Sequence, residues 1–174
     1  MDKVINVVMA GLGGQGVLKV ADILSDAAFI TGFDVKQSEV HGMSQRGGSV
    51  NSDVRYGKQV WSPMVPIGEA DFLVVLEPTQ VENNRYRLKQ GGQLITPSLF
   101  LGDDFDDIEE LEEDDENPIT QRNFNIAMLG ALSIYLNLDE AVWKQAIQSN
   151  LPARAHAENL NVFAFGRQKA QEAN

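Results

Sequence analysis

The sequence of 174 residues predicts an α/β fold: an open, mostly parallel sheet with helices on both faces, a β-hairpin insertion and a helical C-terminal part. Three observations predict it. Val4 to Ala10 is a β-branched apolar run ending in the glycine turn Gly11 to Gly16, the pattern of a strand buried on both faces. Beyond the turn, Val17, Val20, Ala21, Leu24, Ala27 and Ala28 recur at helical spacing. After Pro118 the apolar residues again fall three and four apart, to the end of the chain.

The first helix runs to about Ile30, where Gly32 stops it. Asp34 to Val40 is a second strand. Strand, turn, helix and strand together predict a βαβ unit whose two strands pair in parallel through a right-handed crossover. His41 to Gly48 is a polar loop. Val50, Ser52, Val54 and Tyr56 then alternate with Asn51, Asp53 and Arg55, the period-two mark of a half-buried strand. Gly57-Lys58 turns the chain into Gln59 to Trp61, which completes a predicted hairpin, and Pro63 and Pro66 end it.

Phe72 to Leu76 reads as a core strand, Thr79 to Leu88 as a short helix, and Gly91-Gly92 as the lead into a strand from Gln93 to Thr96. Phe124 to Leu136 is a helix packed by Phe124, Ala127, Met128, Ala131, Leu132 and Tyr135. Asp139 caps the next helix, which buries Ala141, Val142, Ala146 and Ile147. Pro152 breaks the chain before a last helix from about Ala155 to Ala170. Without repeats or a linker, residues 1–174 read as a single domain.

The net charge of -11 is local in origin. Asp103 to Glu116 contains eleven acids and no base, and the rest of the chain balances 14 acids against 14 bases. Self-repulsion favours a solvated, mobile stretch over about 103–117. No basic stripe exists to neutralise phosphates, so nucleic acid is not an expected partner. With no cysteine, the chain cannot hold a disulfide, a thiolate zinc site or a Cys-ligated iron–sulfur cluster. Its apolar runs are too short to cross a bilayer, and Lys3 leads into the first strand without a cleavage-site pattern. A cytoplasmic protein without a membrane partner is expected.

Two glycine-bearing segments follow strands. Gly11-Leu12-Gly13-Gly14-Gln15-Gly16 is a G-x-G-x-x-G turn opening a helix, the phosphate-facing arrangement of a Rossmann-like fold. A dinucleotide site would also need an acid at the end of the second strand, for which Glu39 is the candidate. Close helix–strand packing accounts for the glycines without a dinucleotide. The second segment is Glu39-Val40-His41-Gly42-Met43-Ser44-Gln45-Arg46-Gly47-Gly48-Ser49. Arg46 can bind a carboxylate or phosphate in two-pronged fashion, and His41 can donate or titrate near neutrality. An Arg46–Glu39 ion pair is the structural alternative. Both segments should lie at the carboxyl edge of the sheet, where ligands of open α/β sheets bind. His41 and His156 are the only histidines, and no ligand spacing supports a metal site.

The second segment, together with Gly11 to Leu18, Gly32 to Lys36, Val54 to Gly57, Asn125 and Leu129 to Leu132, resembles the gamma-type family of 2-oxoacid:ferredoxin oxidoreductases. Within it the likeness is greatest to the beta subunits of indolepyruvate ferredoxin oxidoreductases. The resemblance implies a non-autonomous subunit of an enzyme that decarboxylates a 2-oxoacid, with indolepyruvate or another arylpyruvate suggested by the branch. That chemistry yields an acyl-CoA from coenzyme A and passes electrons to ferredoxin. Thiamine diphosphate, magnesium and [4Fe-4S] clusters then belong to a larger partner subunit, with no cofactor on this chain alone. His41 and Arg46 take supporting catalytic roles by this analogy. Gly11, Gly13, Gly14, Gln15, Gly16, Glu39, Gly42, Gly47, Gly48 and Ser49 face the partner or its cofactor. An isolated chain with that face uncovered is expected to form homodimers. The competing reading is a nucleotide-binding or assembly module without a direct catalytic role.

Overall fold

A computed structural model describes residues 3–42, 47–102 and 117–173. Its strands are β1 (Ile5–Leu12), β2 (Asp34–His41), β3 (Ser49–Gly57), β4 (Ala70–Val75) and β5 (Leu88–Ile95). The helices are α1 (Val17–Ile30), the one-turn α2 (Val81–Asn84) and α3 (Ser98–Leu101), then α4 (Phe124–Ser133), α5 (Glu140–Asn150) and α6 (His156–Glu172). The acidic segment 103–116 lies outside the described residues.

The strands form one open sheet in the order β2-β3-β1-β4-β5. β1 pairs with β4 and β4 with β5 in parallel, while β3 runs against both of its neighbours. Four of the five strands therefore point the same way. The expected parallel pairing of β1 with β2 does not form. β3 turns back after β2, pairing Asp34 to His41 against Val50 to Gly57, and its other edge takes β1 from Ile5 to Leu12.

That insertion also removes the predicted hairpin at Gln59 to Trp61. Both edges of β3 are already hydrogen-bonded, so no partner edge remains for another strand. The hairpin of this protein is β2–β3. Residues 58–69 instead cross one face of the sheet, pinned by side chains of the strands beneath. Asp34 Oδ2 accepts from the Val60 amide at 2.7 Å, and Asp53 Oδ2 from that of Val65 at 2.8 Å. Arg55 Nη1 donates to the carbonyls of Ser62 and Met64 at 2.9 and 3.1 Å.

The other face carries the main core. Val7 and Met9 of β1, Val54 and Tyr56 of β3 and Val74 of β4 belong to one cluster there with residues of α1, α4, α5 and α6. Each fully buried Leu or Ile, such as Ile23, Leu24 and Leu132, contributes about 2 kcal/mol. On the first face Val8, Ala10, Leu73 and Val75 pack with Val65 of the crossing segment and Val81 of α2. Helical cover is thus lopsided, with all four long helices on one side. Every residue of α4 is buried, because the sheet lies on one side of it and α6 on the other. The crossing is close because α4 and α6 meet at glycine. A methyl group on Gly130 would strike the Phe163 carbonyl, and one on Gly166 the Ala127 carbonyl.

Smaller expectations also shift. Thr79 to Leu88 is not one helix but α2 flanked by two 3-10 turns. Asn84 Nδ2 bonds back to the Gln80 carbonyl at 2.9 Å, the competition that makes asparagine a poor helix residue. β5 begins before Gly91-Gly92 and bulges there, with its register shifted against β4 between Ala70 and Phe72. Asp139 does precede α5, but its side chain makes no capping bond. No helix among the described residues is long and apolar enough to cross a membrane.

Candidate functional site

The carboxyl ends of β1 and β4 and the start of α1 surround a cleft of about 710 Å³. Its walls include Gly13, Gly14, Gln15 and Gly16 of the first turn, Gly47 of the second loop, Glu77 after β4, and Lys19, Arg122 and Asn125. Two segments distant in sequence meet here. The Gly13 amide donates to the Gly48 carbonyl at 2.9 Å. The expectation that both glycine segments share one edge of the sheet is met by this bond.

Local geometry explains the turn. Gly16 has φ 76°, in the left-handed region, and it stands where α1 would otherwise have a side-chain cap. A Cβ at that position would also collide with Asn125 Nδ2, which donates to the Gly16 carbonyl at 3.3 Å. The opening amides of α1 have no acceptor within the helix by construction. They present partial positive charge, to which Lys19 and Arg122 add full charges. Glu77 is the opposing negative group. The ensemble can attract an anion, but among the described residues it holds no nucleophile paired with a base.

The remaining candidates are more scattered. Gly11 is buried within β1. Gly42 and Ser49 close the β2–β3 hairpin, the Gly42 amide donating to the Ser49 carbonyl at 2.7 Å. His41 is exposed, with Nε2 3.6 Å from Glu39 Oε2. Neither Glu39 nor His41 lines the cleft. Because β3 separates β2 from β1, Glu39 sits two strands, or about 10 Å, from the turn. The neighbouring-strand acid of a dinucleotide site is therefore displaced. Arg46, and with it the Arg46–Glu39 pair, lies outside the described residues. Sequence reasoning missed Glu77, Lys19 and Arg122. Glu77 had a usable signal: it is the first polar residue after a core strand, at the same carboxyl edge.

Thiamine diphosphate with its metal, or an iron–sulfur cluster, does not fit these residues. The sequence has no cysteine, and no group of three His, Cys, Asp or Glu side chains capable of holding a metal gathers among the described residues.

Comparison with known proteins decides the family. Residues 6–169 match the family model described as pyruvate ferredoxin/flavodoxin oxidoreductase. The chain belongs to this family. It is 34% identical over 197 residues to indolepyruvate oxidoreductase subunit IorB of Thermococcus kodakarensis, covering 96% of each chain. With 2-oxoglutarate synthase subunit KorC of Archaeoglobus fulgidus it shares 26% identity, over 95% of this chain and 88% of that one. The fold is shared with the gamma subunit of a keto/oxoacid ferredoxin oxidoreductase from Geobacter sulfurreducens (TM-score 0.76, 24% identity, 97% and 99% of the two chains). It is shared too with 2-oxoglutarate:ferredoxin oxidoreductase from Magnetococcus marinus, at TM-score 0.80 and 21% identity. There 99% of this chain corresponds to only 32% of a longer polypeptide. These relatives are named as subunits of an indolepyruvate oxidoreductase and of a 2-oxoglutarate synthase.

Proposed function

We propose that this chain is the smaller subunit of a thiamine-diphosphate-dependent 2-oxoacid:ferredoxin oxidoreductase. Its glycine rim is half of a site that the larger subunit completes. The observation that carries the reading is the Gly13–Gly48 bond, which brings both glycine segments to one open cleft. A cleft lined by amides, two cations and one carboxylate, with no nucleophile paired with a base among the described residues, suits binding and orientation more than bond-breaking. Thiamine diphosphate, magnesium and the clusters reside on the partner, consistent with the absence of cysteine here. Ferredoxin takes the electrons through the complex.

The anion that suits the cleft is a phosphate-bearing co-substrate, and coenzyme A is the one the chemistry requires. The Magnetococcus marinus enzyme was solved with 2-oxoglutarate, coenzyme A and succinyl-CoA bound. In that enzyme the corresponding fold is one part of a longer chain. Likeness to IorB favours an arylpyruvate such as indolepyruvate as the 2-oxoacid. His41 and Arg46 take supporting roles in the assembled enzyme. Trp61, Met64 and Ile67, exposed on the crossing segment, offer apolar surface for assembly and for self-association of the isolated chain.

The native complex, purified through this chain, tests the reading. Thiamine, iron and CoA-dependent viologen reduction by a 2-oxoacid are expected, and the isolated chain should be inert. His41→Ala and Arg46→Ala should slow the complex without lowering the melting temperature of the free chain. A complex devoid of thiamine, iron and 2-oxoacid activity contradicts the proposal.

A further inference from the structure

We propose that Glu77 is a positioning residue for the glycine turn, acting through the side chain of Gln15. Gln15 Nε2 donates to Glu77 Oε2 at 2.8 Å, and Gln15 Oε1 accepts from the Leu12 amide at 2.8 Å. Only one orientation of the Gln15 amide satisfies both bonds, and the carboxylate dictates it, because a carboxylate can only accept. Glu77 is itself fixed. Its Oε1 accepts from the hydroxyl and amide of Thr79 at 3.1 and 3.4 Å. The preceding residue, Leu76, is tied to β1 by its amide, which donates to the Ala10 carbonyl at 2.8 Å.

The turn is thus held at both ends. Leu12 is held by the Glu77–Gln15 chain, and the Gly16 carbonyl by Asn125, whose Oδ1 accepts from the Ile126 amide at 2.9 Å. A carboxylate in the wall of an anion-accepting cleft opposes ligand binding, so its presence calls for a compensating role. Orienting Gln15 supplies that role. The turn keeps its shape before the ligand arrives, and the ordering cost of binding falls. This inference rests on the function proposed above and adds to it the residue that sets the shape of the site.

A charge swap tests it in the assembled enzyme. Gln15→Glu sets two carboxylates against each other and should raise the KM for coenzyme A about tenfold, with the KM for the 2-oxoacid little changed. Adding Glu77→Gln to that variant should restore it. In the double variant the carboxylate at position 15 would accept from the Leu12 amide and from the side-chain amide at position 77, whose oxygen still serves Thr79. Hydrogen exchange at the Leu12 amide of the free chain should follow the same order, faster in Gln15→Glu and normal in the double variant. A KM for coenzyme A unmoved by Gln15→Glu, or a double variant no better than the single one, overturns the proposal. So does a melting temperature that falls while KM stays constant, since that is the mark of a purely structural contact. If the wild-type complex shows no 2-oxoacid activity, the functional reading falls by itself. Leu12 exchange then decides whether Glu77 sets the turn.

Discussion

The amide of Gly13 donates to the carbonyl of Gly48 at 2.9 Å, which joins the turn after β1 to the loop before β3. Because β3 lies directly beside β1, the two loops are neighbours at the sheet edge rather than opposite walls of a wide crevice. The rim they form is continuous with the cleft at the start of α1.

Gly14 and Gly16 should respond differently to alanine. Both have positive φ, 99° and 76°, but a Cβ on Gly14 meets nothing within 4 Å while one on Gly16 collides with Asn125. Gly14→Ala should cost about 1 kcal/mol of stability from backbone strain alone. Gly16→Ala should cost about 3 kcal/mol by adding the clash. Urea unfolding of the free chain measures both, and equal losses would show that the Asn125 contact yields freely.

The α4–α6 crossing predicts a large effect far from the cleft. In Gly130→Ala the new methyl group meets backbone rather than a movable side chain. The helices must part, at about 3 kcal/mol. Gly166→Ala presses on the same crossing, so the two losses should be less than additive. Thermal melts of the two single variants and the double variant check this.

Arg87 and Asp53 form a buried pair at 2.7 Å, with side chains only 10% and 6% exposed. Arg87→Met strips the buried carboxylate of its cationic partner and should cost about 3–5 kcal/mol. Adding Asp53→Asn removes the stranded charge but keeps an acceptor for the Val65 amide, and should recover more than half of that loss. Chemical denaturation of the single and double variants measures the recovery. No recovery would mean that Arg87 contributes by packing.

At the amino end of β4, Asp71 should contribute to the loss of stability in acid. Burial alone would raise its carboxyl. Hydrogen bonds from Lys3 at 2.8 Å, from Lys89 and from the Asn6 amide at 2.8 Å outweigh that effect and hold it below the usual carboxylate value. A depressed folded value stabilises the protein fully above the unfolded value, about 3.9, and the contribution is lost as pH falls through the folded one. Asp71→Asn should therefore melt lower than wild type at pH 7, by about 3 °C for each kcal/mol lost. The gap should close below about pH 4. A gap that is constant from pH 7 to pH 3 would assign the loss to something other than ionisation.

Much of this was legible in the sequence. Helical spacing from Val17 to Ala28 located α1, and the alternation from Val50 to Tyr56 located β3 and its buried face. What the pattern could not show was which strands are neighbours. Period two reports that a strand has two unlike faces, not which edges are occupied, so β3 between β1 and β2 was invisible and the Gln59–Trp61 hairpin was misread. Gly11 to Gly16 marked the site because its chemistry is local. The roles of Glu77 and Asn125 escaped notice because they depend on contacts 62 and 109 residues away.

Hydrogen–deuterium exchange of this chain, alone and bound to its larger subunit, tests the shared rim most directly. Peptides covering Gly11 to Val17 and Gly47 to Ser49 should both become protected on assembly, while those from the exposed outer surface of α6 stay unchanged. Exchange in both glycine segments that is indifferent to the partner would contradict a site built between two subunits.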